Sequence, residues 1–586
     1  MEALILASGC GKGNKMAIPL RPIESLHAVP VEVPKHQRVA DIVVQTLVEL
    51  GVDTFYGIPG GAIASVYDAL LDQKSARVIN TRHETAAVFM AMGHSRVSGK
   101  LPCVLMTSGP GITNGLTGIA AAHADGIPLI VIGGEVPKKN FGRGALQEGS
   151  KYQLDVLAMV RSVTKFSAEV NNPRAAATLV RKAVATARSG RQGPVFLSLP
   201  LDIASERVPS IGSSSQVSTQ FEVDQDVLNQ AAEALQKAER GLILVGSGCR
   251  HPEAIRWVGT LAATLQMPVA TTPKGKGIFP ESDPLSLGIF GFGGHTSATD
   301  YLEKGVDTIL CIGCGLGETG TNSWSPLLQP SKTLIQIDID AGQIGKNYQI
   351  DYGIVGPAHI VLRGIASRLR RKSPHSLSSG ITYFEPEAAE SNELPLRPAR
   401  VMRLLQQVFP EDTIYTVDIG EHTMFALHYL KIDHPDAFLV STGLGSMGSG
   451  IGTAIGAKVA LPGRSVVSIC GDYGFQMFGM EFATCIESNI NVTFAVFNDS
   501  RMRMVESGLT RIFGRSSVGQ SPHVDFALLG RAIGVPGITI TKPSDFESIP
   551  SAVREGNRPC ILDIQIDPCS AFPLHGRIAQ IRNFNQ

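Results

Sequence analysis

An imbalance of charge is missing from this sequence: Lys plus Arg and Asp plus Glu each number 52, for a net charge of +0. No electrostatic footprint for a nucleic acid or an anionic membrane surface follows from such a balance. Long apolar stretches are missing too, since no run reaches the roughly 18 residues of a membrane-crossing helix. Paired cysteines are the third absence. The nine, at 10, 103, 249, 311, 314, 470, 485, 560 and 569, are odd in number, scattered and mostly inside apolar runs, as expected of reduced thiols in a cytoplasmic protein. Cys311 and Cys314 have the one redox-like spacing, but they sit in what reads as a buried strand and turn, with no second Cys or His pair nearby for zinc.

What is present is a globular composition, 43% hydrophobic and 18% charged, over 586 residues, too long for a single core. Residues 1–35 read as a flexible extension whose apolar run is too short for a secretory signal. A first domain spans 36–202, a Ser-rich linker 203–225, a central domain 226–371, a second linker 372–398 and a third domain 399–586. In the first domain an amphipathic helix from Arg38 to Leu50 precedes buried strands at 54–57, 78–80, 103–107, 129–133 and 195–199, with helices between them. The central domain repeats the alternation at 241–245, 269–271, 308–312 and 333–337. In the third domain a helix at 399–408 is followed by strands at 414–417, 466–470, 492–497 and 560–566 and a short C-terminal helix. Such alternation predicts three doubly wound α/β domains with parallel sheets.

The most informative stretch is 466–505, read as a strand, a Gly471-Asp472-Tyr473-Gly474 turn, a helix from about 477 to 488, a second strand and the turn Asn498-Asp499-Ser500. In a parallel βαβ unit the carboxyl ends of the strands lie side by side, so Asp472 and Asp499 can converge. Two hard oxygen ligands suit Mg²⁺, which takes its remaining ligands from phosphate and water. Gly471 and Gly474 would let a diphosphate approach the backbone. An ordinary strand-to-helix connection is the alternative for either turn taken alone.

Other strand ends carry further candidates. Glu84 opens an otherwise apolar helix, either as a buried functional carboxyl or as a helix-start acid favoured by the dipole. Met447 lies in a glycine-rich segment, 441–450, where it reads as core filler. His422 follows the strand at 414–417, in a turn that could equally be an ordinary surface one. Gly315, Gly317 and Gly320, with Asp338 and Asp340 about twenty residues on, formally match a dinucleotide fingerprint, although residues 321–326 do not continue as a clean helix.

Segments 57–70 (GIPGGAIASVYDAL), 82–87 (RHETAA), 108–137, 142–148 (GRGALQE), 162–167 (SVTKFS), 275–295 and 334–347 (LIQIDIDAGQIGKN) resemble acetolactate synthases, thiamine diphosphate enzymes. The stretch 471–499 resembles that group's diphosphate signature, with Tyr473 in place of Gly and Asp499 in place of Asn. The resemblance covers about 39–566. It implies that Glu84 hydrogen-bonds N1′ of the cofactor's aminopyrimidine, that Met447 is the wedge between the two cofactor rings, and that Gly420 and His422 lie against the diphosphate. It further places Pro59, Asn114, Glu421, Gly445, Gly471, Tyr473, Gly474, Met504 and Val505 along the cofactor. Asp472, Asp499 and the Arg501 carbonyl would bind Mg²⁺, Gln147 would reach the substrate, and Lys165 would stand near its channel. His83 reads as structural.

Several positions depart from the pattern. Glu421 stands for Gln, Arg503 for Gly, Gly508 for the Trp of the acceptor pocket and Leu146 for Phe. The Arg that grips the carboxylate of a second oxo acid falls at Thr296 or Ser297, and residues 314–318 replace an Arg-Phe-Asp-Asp-Arg run. The central domain holds FAD in many such enzymes and nothing catalytic in others. The expected activity is decarboxylation of a 2-oxo acid, pyruvate first, with transfer of the acyl carbanion to an aldehyde or ketone. Simple decarboxylation is one alternative; a flavin- or nicotinamide-dependent oxidoreductase and a catalytically silent homologue are the others. The resemblance also implies a homodimer or tetramer with each cofactor between two chains.

Overall fold

The computed structural model describes residues 36–209, 221–373 and 380–573. The extension at 1–35 and the short helix expected at the C-terminus, past residue 573, lie outside the described residues. Within them the chain forms three six-stranded, all-parallel sheets flanked by helices. The first sheet runs in the order Arg77–Asn80, Thr54–Gly57, Cys103–Met106, Ile130–Glu135, Val195–Pro200, Phe166–Glu169. The central sheet runs Ser286–Ile289, Val269–Thr271, Gly241–Val245, Thr308–Ile312, Thr333–Asp338, Tyr352–Val355. The third runs Phe438–Val440, Ile414–Val417, Val466–Gly471, Thr493–Asn498, Cys560–Gln565, Gly537–Ile540. The segment read as the first linker opens on the end of a helix, Leu201–Ser205, and contains a strand, Arg207–Pro209, that pairs antiparallel with His36–Arg38.

The first and third sheets are joined through two helices, Glu84–Ser98 and Ser449–Ala460. Both are rich in Ala and Gly, and almost every residue of each is buried. Small residues let the backbones touch: a β-carbon at Gly93 would fall well inside van der Waals contact distance of the Thr453 carbonyl oxygen, and one at Gly456 well inside that of the Met90 carbonyl oxygen. Phe89 and Met90 from one helix and Ile451 and Ile455 from the other belong to one continuous apolar core. Asp125 adds a polar tie, its Oδ1 accepting from the Gly443 N–H at 3.0 Å and from Lys274 Nζ at 3.2 Å, so one carboxylate links all three sheets. The central domain is further bound by a fully buried ion pair, Lys276 to Glu281 at 2.5 Å, whose partners also reach the Leu427 carbonyl and the Ile432 N–H.

Glu481 closes the seam between the first and third domains. It accepts from the Arg82 N–H at 2.9 Å and from Thr484 Oγ1 at 2.8 Å, while the Arg82 guanidinium pairs with Glu487 at 2.6 Å. Burial pushes the Glu481 carboxyl up to about 7 against the stabilising effect of those donors. A carboxyl with a raised pKa binds its proton more tightly in the folded state, so its contribution to stability is full below the unfolded value of 4.5 and is lost as pH rises through about 7.

The cysteines of the Cys311–Cys314 spacing are buried and free, with Cys311 Sγ 3.8 Å from the Cys314 carbonyl oxygen. Among the described residues no group of three or more His, Cys, Asp or Glu is placed to hold a metal, and no helix is long and apolar enough to cross a membrane. The glycines from 315 to 320 open only a three-residue turn of 3₁₀ helix, Glu318–Gly320, so the dinucleotide fingerprint lacks its helix. The loops after Gly241–Val245 and Thr308–Ile312 pack backbone to backbone, since β-carbons at Gly246 and Gly248 would collide with the Gly313 backbone.

Two stability measurements check this packing. Gly456→Ala should cost about 3 kcal/mol by forcing the two helices apart, whereas Gly463→Ala, with open space around it, should leave the denaturation midpoint within about 0.5 kcal/mol of the parent. Equal effects would contradict the backbone contact. For Glu481→Gln, the fall in melting temperature of the parent between about pH 5 and pH 8 should flatten; an unchanged slope would remove Glu481 as its source.

Candidate cofactor site

The third sheet changes direction of winding between Ile414–Val417 and Val466–Gly471, and such switch points leave a crevice at the carboxyl ends of the strands. A cavity of about 240 Å³ opens there, lined by the segments that leave those two strands and their neighbours Thr493–Asn498 and Cys560–Gln565.

The strand Val466–Gly471 does not end in a turn. Gly471 is extended (φ −81°, ψ 163°) and a helix starts at once with Asp472, running to Phe478 before a 3₁₀ step at Gly479–Glu481 and a second helix, Phe482–Glu487. This corrects the single helix expected from about 477 to 488. The Asp472 side chain folds back to accept from the Tyr473 N–H at 2.7 Å, which satisfies one of the open donors of the first helical turn. The N–H groups of Ser500 and Arg501 also point to it, and burial against these donors leaves its carboxyl raised to about 6.

Asp499 comes to the same place from the next strand. Ser500 has φ 56°, a left-handed conformation that costs a non-glycine residue about 1 kcal/mol or more and turns the chain sharply after Asp499. The Asp499 carboxylate accepts from the Arg501 N–H at 3.1 Å. Burial, and then the charge of Asp472, push it up to about 7. The two acids therefore converge, as the parallel βαβ unit predicts. Asn498 is turned away, with its Nδ2 held by the Val524 carbonyl at 3.0 Å and Asp563 Oδ1 at 2.9 Å.

Glu421 and His422 open the helix Glu421–Tyr429 after the strand Ile414–Val417. His422 is buried, burial pushes it down to about 4, and its Nε2 has no hydrogen-bond partner. An unmet imidazole nitrogen on a cavity wall is free to hydrogen-bond a polar group that enters the cavity. Glu421 also lines the cavity, raised to about 7 by burial, with Oε2 accepting no hydrogen bond and facing only the Arg503 guanidinium at ion-pair distance. Gly445, Met447, Gly471, Tyr473, Gly474, Arg501, Met504 and Val505 complete the part of the expected set gathered here, and Gly420 stands beside His422.

Two of these residues have reasons of their own. A β-carbon on Gly474 would run into the Asp418 carboxylate, so this glycine serves packing as well as any approach of a phosphate. Asp418 itself was not among the expected site residues. It is fully buried, accepts from the N–H groups of Gly448 at 2.8 Å and Gly450 at 3.2 Å, and so fixes the glycine-rich turn that presents Met447. Tyr473 reaches across to hydrogen-bond Ser521 Oγ, whose N–H meets the Ser500 carbonyl at 2.8 Å, and this ties the segment after residue 514 to the rim. The sequence reading did not place the wall residues Pro398, Ile419, Phe425, Phe497, Met502, Ile566 and Asp567, most of which lie close to the carboxyl ends of strands or at the start of helices.

The first-domain residues stand elsewhere. Glu84 is buried at the first position of its helix and accepts from Asn114 Nδ2 at 3.1 Å. Pro59, Asn114 and Gln147 are exposed on the same edge of the first sheet, Gln147 with φ 62°. His83 caps the helix by accepting from the Thr85 N–H and packs edge-on to Phe478 at 5.3 Å. Phe478 ends the helix that Asp472 begins, a span of about 10 Å. Among the described residues, no first-domain side chain lines the cavity around Asp472 and Asp499. Lys165 is occupied in capping a helix, its Nζ 2.5 Å from the carbonyl oxygens of both Thr186 and Ser189, and is not brought toward Glu84. Ser297 Oγ is bound to the Leu287 carbonyl, and Gly508 faces open space on a helix with no buried residue.

Three family descriptions match successive parts of the chain: the N-terminal TPP binding domain of thiamine pyrophosphate enzymes over residues 37–156, their central domain over 228–365, and their C-terminal TPP binding domain over 418–564. A probable acetolactate synthase large subunit of Methanocaldococcus jannaschii is 34% identical over 568 residues, covering 92% of this chain and 94% of that one. The acetolactate synthase isozyme 3 large subunit of Escherichia coli is 32% identical over 549 residues, covering 90% and 94%. An acetolactate synthase of Mycobacterium bovis is 30% identical over 545 residues, covering 89% and 87%. With its three parallel sheets, its two TPP-binding domains and relatives aligned along nearly its whole length, the chain belongs to the thiamine diphosphate enzymes related to acetolactate synthase large subunits.

Proposed function

We propose that the protein decarboxylates a 2-oxo acid, pyruvate being the first candidate, and transfers the resulting acyl carbanion to an aldehyde or ketone, with thiamine diphosphate and Mg²⁺ as cofactors. The observation that carries this reading is the convergence of Asp472 and Asp499 on a cavity whose wall includes the unpartnered His422 Nε2. The donor set fits the group. Two carboxylates and the Arg501 carbonyl supply the few hard oxygens that Mg²⁺ takes from protein, leaving the rest of its octahedron to phosphate and water. His422 and the backbone at Gly420 would hold the diphosphate, and Met447, held by the Asp418-anchored turn, would stand against the cofactor's rings. When bound, thiamine diphosphate supplies the electron sink that loss of CO₂ from a 2-oxo acid requires.

Glu84 would act at the aminopyrimidine end of the cofactor, as the group that hydrogen-bonds N1′. Its burial suits this role, because a hydrogen bond made away from water does not compete with solvent. Gln147 reaches the substrate. Because Glu84, Asn114 and Gln147 occupy one face and the metal site another, the site is completed by a second copy of the chain, giving a dimer or a tetramer. Exposed Leu146, Met477 and Met480 suit such an interface. Thr296 and Ser297 offer no cation to a carboxylate, which favours an acceptor without one; protonation in place of ligation is the second reading on the same ground.

Mass spectrometry of products formed from pyruvate with a panel of aldehydes and oxo acids, in the presence of thiamine diphosphate and Mg²⁺, tests the reading. A ligation product supports it, acetaldehyde alone moves it to simple decarboxylation, and no CO₂ release from any 2-oxo acid would contradict it. Glu84→Gln should leave cofactor affinity within a few-fold and lower turnover by about 100-fold or more; near-parental turnover would remove Glu84 from the chemistry.

A further inference from the structure

The rim of the cavity carries an unusual concentration of negative charge. Glu421, Asp472, Asp499 and Asp567 follow four adjacent strands of one sheet, so neighbouring strand ends deliver four acids to one opening. A diphosphate brought to the same opening adds more. Arg501 is already engaged with Glu506, at 2.7 Å. Arg503 takes a different position, with its Nε 3.4 Å from Glu421 Oε2 and 3.9 Å from Asp499 Oδ2, between acids contributed by two separate strands.

Nothing in the helix that Arg503 begins accounts for a cation there. Arg503 is the first residue of Arg503–Phe513, where a positive charge opposes the helix dipole. What favours it is the pair of carboxylates it faces. Arg503 and the two acids it faces, at 421 and 499, are also three of the positions at which this sequence departs from the pattern it otherwise resembles, and the departures are opposite in sign: two acids in place of amides and one added base that offsets part of their charge.

We propose that Arg503 is a positioning residue, the counter-charge that allows carboxylates at 421 and 499 to stand beside a magnesium-bound diphosphate. The inference rests on the reading of this cavity as the thiamine diphosphate site. Asp499 offers the metal a charged oxygen where an amide would offer a neutral one, and with Glu421 it would also repel the phosphates. Arg503 offsets that repulsion without itself being a metal ligand. Its importance therefore depends on the two acids and should disappear with them.

The test is a thermodynamic cycle read by calorimetric binding of thiamine diphosphate at saturating Mg²⁺. Arg503→Gly in the parent should weaken binding about tenfold or more, and Arg503→Lys, which keeps the charge, should recover most of the loss. In a Glu421→Gln, Asp499→Asn background the same Arg503→Gly change should alter affinity by less than about threefold. An undiminished affinity in the parent, or an equal loss in both backgrounds, would overturn the proposal. Thermal unfolding of each cofactor-free variant identifies a folding defect, and if Arg503→Gly does not fold, Arg503→Gln is measured through the same cycle. Failure of the parent itself to bind thiamine diphosphate would instead bring down the reading of the site on which the inference rests.

Discussion

Two helices touching backbone to backbone set the geometry on which everything else depends. Glycines at 93 and 456 remove the side chains that would hold Glu84–Ser98 and Ser449–Ala460 apart, and the alanines around them leave few ways to pack other than this one. Close contact of this sort is stiff, because a core at crystal-like density resists small displacements. Each helix begins at a functional edge: one with Glu84, the other beside the turn that carries Met447. The same contact that fixes the two domains in one chain thus fixes how far apart those edges stand.

Burial of acids at strand ends is the second constraint. Asp418, Asp472 and Asp499 all lie where parallel strands stop, and burial pushes each carboxyl up, to about 6, 6 and 7. Asp418 is met by the protein's own N–H groups and serves as scaffold. The pair at 472 and 499 is only partly met, and a divalent cation is the natural remainder of that balance. On the proposed reading, Arg503 supplies the rest of the compensation.

Much of this was legible in the amino-acid order. Buried parallel strands are short apolar runs with clear ends, so those at 54–57, 241–245, 308–312 and 414–417 could be bounded to the residue. Strands at Phe166–Glu169, Tyr352–Val355 and Gly537–Ile540 were not, because all three lie at sheet edges and are only partly buried, which leaves no continuous apolar signal. The convergence of Asp472 and Asp499 followed from the βαβ pattern alone. The role of Asp418 did not, since an acid after a strand reads the same whether it meets a ligand or a neighbouring turn. Gly474 shows the converse ambiguity: a glycine beside a phosphate-like turn can be there for a buried carboxylate.

The central claim is that Glu84 of one chain and Asp472 of another complete each site. Its most direct measurement is activity in isolated mixed dimers carrying Glu84→Gln in one chain and Asp472→Asn in the other. Sites formed between chains leave one of the two in each mixed dimer with both residues intact, so about half of the parental CO₂ release should return although each variant alone is inactive. Mixed dimers as inactive as either variant would contradict the claim and place both residues in a site within one chain.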